Sequence, residues 1–155
     1  MSILLSVLIL ISHGYGYTQT VSPGVALEVR GQHLRGLVEY RHTSKEDTGD
    51  GYSIKAETAA RIGSAWYGQP TVSVVQQHTS AWNKTSVFPS MRAGYDSGTL
   101  DVYGLIGVPV YGSHNNILGG GGMEYRHKHF VAQWQMVIGR TNQNAVDLLI
   151  GYRWQ

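Results

Sequence analysis

The chain has no cysteine, so neither a disulfide framework nor a thiolate metal site can hold it together. Charge is also scarce: Asp, Glu, Lys and Arg make up 14% of the 155 residues and the formal net charge is only +2. The two signs are interleaved along the chain instead of gathered on a basic face, which speaks against nucleic acid as a partner. No apolar run reaches the roughly 20 residues that a membrane-crossing helix needs. The glycine run Gly119 to Gly122 precedes no Lys-Ser or Lys-Thr pair, so it is no phosphate loop.

What is present favours strands. Gly reaches 20, Tyr 10 and Trp 4, a balance rich in strand and turn formers. The length allows one domain, close in size to the smallest closed membrane barrels. Residues Ile3 to Ile11 form an almost unbroken apolar run, followed by Ser12-His13-Gly14-Tyr15-Gly16. Small residues at Gly14 and Gly16 have the spacing that a signal peptidase reads, so a leader over residues 1–16 and a barrel domain over 17–155 are expected. No Lys or Arg precedes the run, so the terminal amine alone supplies the positive charge of such a leader. A buried N-terminal strand is the other use of the same residues.

Beyond residue 17, apolar and polar side chains alternate with period two between clusters of Gly, Asn, Asp, Ser and Pro. Tyr52, Ile54, Ala56 and Thr58 alternate with Ser53, Lys55 and Glu57; Val146, Leu148, Ile150, Tyr152 and Trp154 alternate with Asp147, Gly151 and Arg153. Nine such segments are readable, counting the looser ones at Val25 to Arg30, Val72 to His78, Val87 to Tyr95 and Ile117 to Arg126. Single-chain bacterial barrels have even strand numbers, and about eight strands are expected. Tight turns are placed at Gly31 to His33, Tyr67 to Pro70, Asp96 to Gly98 and His127 to His129, with longer connections at His42 to Gly51, Ser80 to Ser86, Tyr111 to Asn116 and Arg140 to Asn144. Short turns at one end and longer loops at the other is the outer-membrane arrangement.

Periodicity cannot say which register faces inward, and a secreted soluble barrel binding an apolar ligand would turn its apolar side to the centre. Two features favour lipid outside. Tyr40, Trp66, Trp82, Tyr95, Tyr111, Phe130, Tyr152 and Trp154 fall near segment ends, where interfacial girdles form. The other register mixes Glu28, Arg30, Arg35, Glu39, Lys55, Glu57, Arg61, Arg92, Asp101, Glu124, Arg126, Asp147 and Arg153, which can neutralise one another inside a closed lumen. The fold class expected is therefore all-β, a single antiparallel up-and-down transmembrane barrel.

The closing stretch Asp147 to Gln155, with Leu148, Ile150, Tyr152 and Trp154 in alternation, resembles the terminal strand of small outer-membrane barrels of the OmpX and OmpA type. It departs from that pattern by ending on Gln155. The resemblance implies fold and location more than activity. A second pattern, His-Thr-Ser, occurs at His42-Thr43-Ser44 and at His78-Thr79-Ser80. It is similar to that of the outer-membrane lipid A deacylases, and the resemblance implies a serine esterase with His42, Ser44 and Glu57 as its residues. The family's Asn after the Ser is Lys45 in one copy and Ala81 in the other, and parity places Glu57 on the face opposite His42. His127 and His129, with His114, have the donor type for a metal, but solvated turn residues account for them. The expectation is a non-enzymatic surface protein, monomeric and without cofactor or metal, surrounded by outer-membrane lipid and meeting an extracellular ligand or protein through its loops.

Overall fold

A computed structural model of the chain describes residues 3–15, 20–45, 49–80, 83–111, 117–139 and 144–154. The strands are β1 (Leu4–Tyr15), β2 (Thr20–Arg30), β3 (Leu34–Lys45), β4 (Gly49–Ala60), β5 (Ile62–Gly63), β6 (Trp66–Thr79), β7 (Asn83–Asp96), β8 (Leu100–Gly107), β9 (Leu118–His127), β10 (Phe130–Gly139) and β11 (Asn144–Trp154). Each long strand pairs antiparallel with its chain neighbours, β1 pairs with β11, and β4 pairs with β6 across the short β5. Ten strands thus close into an up-and-down barrel, with the two-residue β5 outside the cylinder and paired only with β6.

The expected count of about eight is corrected to ten. All nine alternating segments are staves, and the tenth is Leu4–Tyr15, the segment expected to be a leader. In the whole chain β1 pairs along its length with β2 on one side and β11 on the other. Its outward residues are Leu5, Val7, Ile9 and Ile11, while Ser6, Leu8, Leu10 and Ser12 are buried inside. Both faces are largely apolar, which is why the segment reads as a continuous run.

Two connections also differ from expectation. Tyr67 to Pro70 lies within β6, and the chain turns earlier, through residues 61–66. Pro70 is tolerated there because the β4 ladder ends at Ala59 and Thr71 and the β5 ladder starts at Ile62 and Gly68, so nothing pairs with Gln69 or Pro70 on that side. His42 to Ser44 continue β3, Gly49 to Gly51 open β4 and Asn83 to Ser86 open β7, so these parts of two expected connections are strand. The turn after β7 is as expected: Gly98 takes φ 90°, and its amide donates to Oδ1 of Asp96 at 2.7 Å. Residues 112–116 and 140–143, which carry most of two expected long connections, lie outside the described residues.

Orientation follows the charge argument. Ile54, Val108 and Met136 are 42%, 46% and 37% exposed on the outer surface, as are Leu27, Val38, Val72, Val102, Trp134, Leu148 and Ile150. Lys55, Arg61 and Arg153 turn inward, and Glu28, Glu39, Asp101 and Glu124 are buried there. An apolar surface around the whole circumference is far larger than a soluble monomer exposes and matches hydrocarbon. The soluble-barrel alternative requires the opposite orientation.

Candidate functional site

The lumen is filled by one continuous chain of opposite charges. From the end of the long connections, Asp147 pairs with Arg41 at 3.2 Å, and Arg41 pairs with Glu39. Glu39 meets Lys55 at 3.3 Å and Lys55 meets Glu57 at 3.7 Å. Glu57 then accepts from Arg35 at 2.9 Å, and Arg35 donates to Glu28 at 2.6 Å. Glu28 shares Arg30, which forks onto both oxygens of Glu124 at 3.0 and 3.2 Å. Glu124 meets Arg126, Arg126 meets Asp96, and Asp96 accepts from Arg61 at 2.9 Å. The sign alternates at every step from Asp147 to Arg61. Such buried charges persist only when paired and hydrogen-bonded, and here each finds a partner on a neighbouring or facing strand.

Aromatic hydroxyls extend the network. Arg92 donates to Asp101 at 2.8 Å and to the Tyr67 hydroxyl at 2.9 Å, and that hydroxyl donates to Asp101 at 2.7 Å. The Arg92 guanidinium lies 3.3 Å from the centre of the Tyr103 ring, while Gln133 donates to the Tyr103 hydroxyl and Gln135 accepts from it. The glycines of β9 make room for this ring: a Cβ on Gly122 would lie 2.7 Å from the Tyr103 hydroxyl. Glycines within a strand often mark such a close approach.

Of the thirteen charged residues assigned to the inner register, those from Glu28 through Asp147 join this network. Arg153 instead donates to the Lys128 carbonyl, at 3.4 Å. Asp96 and Tyr67 were missed as lumen residues because both fall where turns were placed. Their parity with Arg92 and Gln69 was the signal that could have found them.

The remaining lumen is apolar and asymmetric. Leu8, Leu10, Ala26, Leu37, Val131 and Leu149 pack together on the wall formed by β1, β2, β3, β10 and β11. Across from them a cavity of about 240 Å³ lies in the half nearer the long connections, bounded by Arg35, Lys55, Glu57, Val75, Phe88 and Leu105 among others. Outside, Trp66 packs against Tyr95 and Tyr152 against Trp154 at the short-turn end, with ring centres 5.1 and 4.8 Å apart. Tyr40, Tyr52 and His78 stack in a row at the other end. Trp82 lies outside the described residues.

Of the three residues implied by the deacylase resemblance, Glu57 is not brought to His42. His42 is exposed on the outer face in register with Tyr52, which also faces His78 across the next ladder. The two His-Thr-Ser segments thus flank β4, and Ser44 is in backbone register with Asp50. Glu57 sits in the lumen, bound to Arg35 and Ser73. It faces Leu37, five residues along β3 from His42, which is about 17 Å at the usual strand rise. His127 stacks on Tyr125, and His129 stacks on Tyr152 with Nδ1 3.0 Å from the Arg153 carbonyl, so both join the short-turn girdle. His114 lies outside the described residues.

No family model and no curated protein matches the chain. Its structure is similar to the β domain of the Bordetella autotransporter BrkA, with TM-score 0.60 and 12% identity over 99% of each chain. It is also similar to the transport unit of the autotransporter AIDA-I from Escherichia coli, with TM-score 0.50 and 10% identity, covering 100% of this chain and 90% of that one. The fold is that of an outer-membrane β-barrel. At such identities the likeness is one of architecture, and the resemblance to OmpX and OmpA read from the terminal strand extends no further than this barrel class.

Proposed function

We propose that this chain is an outer-membrane surface protein that acts through the connections at one end of its barrel, without carrying out catalysis. The observation that supports this most is the ion-pair chain across the lumen. It crosses the lumen from Asp147 to Arg61, where a continuous pore would need open space. What remains able to meet a partner is the end with the longer connections. The start of β1 at Leu4 and the end of β11 at Trp154 lie at the other end with the short turns, as in barrels whose short turns face the periplasm.

Native lysines test the sidedness. Lys84 follows the connection after β6 at the proposed outer end, and Lys128 occupies the turn between β9 and β10; both are exposed. A membrane-impermeant amine reagent applied to intact cells is expected to label Lys84, and Lys128 only after permeabilisation, as read by peptide mass mapping. Labelling of Lys128 on intact cells with Lys84 protected would reverse the assignment.

Glu57, bound to Arg35 and Ser73 on the lumen side, speaks against the hydrolase alternative. A His42→Ala chain is expected to leave the acylation pattern of the host's lipid A unchanged from wild type. Reappearance of an acyl chain in that variant, read by mass spectrometry of extracted lipid, would restore the enzymatic reading.

A further inference from the structure

We propose that the lumen cavity nearer the long connections is a binding site for a small amphipathic anion, a medium-chain carboxylate in chemical class. The inference deepens the surface reading by giving the outward end a ligand. It begins from a contrast between the two walls. On β1, β2, β3, β10 and β11 the inward Leu and Val side chains are fully buried against one another. On β6, β7, β8, β9 and β10 the inward Val75, Phe88, Leu105, Leu118 and Val137 are only half-buried, because they face the cavity of about 240 Å³. Five adjoining strands therefore present apolar side chains to open space, within a lumen whose other inward positions are packed or ionic.

The floor of the same cavity is ionic, and its cations also pair with carboxylates just outside the lining, Glu28, Glu39 and Asp101. Arg35, Lys55 and Arg92 border it against one carboxylate, Glu57. Arg92 uses Nε and Nη2 on Tyr67 and Asp101, and Arg35 uses Nε and Nη1 on Glu28 and Glu57. Among the described residues this leaves Nη1 of Arg92 and Nη2 of Arg35 without a hydrogen bond. Apolar walls with a few convergent polar groups at one end are the general form of a small-molecule site. Here the polar groups include two guanidinium groups with a spare donor each, which select a negatively charged head, and the walls select a hydrocarbon or aromatic body. A neutral amphiphile would leave the guanidinium groups unmatched.

The test uses the full chain in lipid nanodiscs, with labelled decanoate as probe and decanol as its uncharged counterpart, in equilibrium dialysis against empty discs of the same lipid. The expected result is saturable one-site uptake of decanoate above the empty discs, with decanol bound at least tenfold more weakly. Filling the cavity by Ser90→Phe is expected to abolish the saturable component. Val75→Phe provides a second filled variant should the first not fold, folding being read by heat-modifiable migration on a gel. Lys55→Met is expected to weaken decanoate about tenfold. Absence of saturable uptake, equal binding of decanol and decanoate, or unchanged binding in a folded filled variant would each overturn the proposal. Because nanodisc binding does not depend on which end faces outward, it fails independently of the lysine-labelling test of the surface reading.

Discussion

Deletion of residues 1–16 is expected to abolish the folded barrel, leaving a chain that shows no heat-modifiable migration and is digested by protease in refolding mixtures. The reason lies in the seam. β1 pairs from Leu4 to Tyr15 with β2 on one side and with β11 on the other. Its removal exposes two strand edges to hydrocarbon, where each unsatisfied backbone group costs several kcal/mol. The gap cannot simply close: β2 and β11 both run antiparallel to β1, so they are parallel to each other and would need a seam of a different hydrogen-bonding pattern. The deletion also removes Leu8 and Leu10 from the packed wall of the lumen. A leader would be dispensable for folding in vitro, so a stable barrel from residues 17–155 would show that these residues serve export alone.

A Glu124→Gln substitution is expected to destabilise the folded barrel by about 3 to 5 kcal/mol, the cost of breaking a buried ion pair from one side. Glu124 is 2% exposed and holds three positions of the network at once: it accepts both Nη atoms of Arg30 and pairs with Nε of Arg126 at 3.0 Å. The neutral amide keeps the shape but leaves two guanidinium groups competing for Glu28 and Asp96. Urea unfolding followed by tryptophan emission would measure the change. Lys84→Gln, on an exposed lysine near a connection, is the matched control, with an effect within about 0.5 kcal/mol expected. Equal effects of the two substitutions would mean that the lumen network contributes nothing beyond ordinary surface charge.

The orientation of the barrel was legible because period two is a strong signal wherever one face is apolar and the other ionic. Ile54 beside Lys55, and Ile150 beside Gly151 and Arg153, assign their faces without reference to any neighbour. The strand count was not legible for the same physical reason turned around. Where the lumen wall is itself apolar, at Leu8 and Leu10, alternation vanishes and periodicity cannot tell a stave from a leader. Pro70 misled for a local reason: proline punctuates most strands, but here it falls in a gap between two ladders where no amide is required on that side. The site was half legible. Parity placed Glu57 opposite His42, which the structure shows, yet it could not reveal which strands meet across the lumen. The Arg30 to Glu124 and Arg41 to Asp147 pairs join residues far apart in sequence, and only barrel closure brings them together. The cavity against Phe88 and Leu105 is invisible to any local pattern, since it arises from what five strands leave unfilled.

The orientation claim is tested most directly by single-cysteine spin labelling in lipid bilayers, which the absence of native cysteine makes clean. Nitroxides at Ile54, Met136 and Leu148 should relax strongly with oxygen dissolved in the bilayer, whereas nitroxides at Ser73 and Gln133 should be shielded from it. Strong oxygen contact at Ser73 and Gln133, with shielding at Ile54, Met136 and Leu148, would contradict the account.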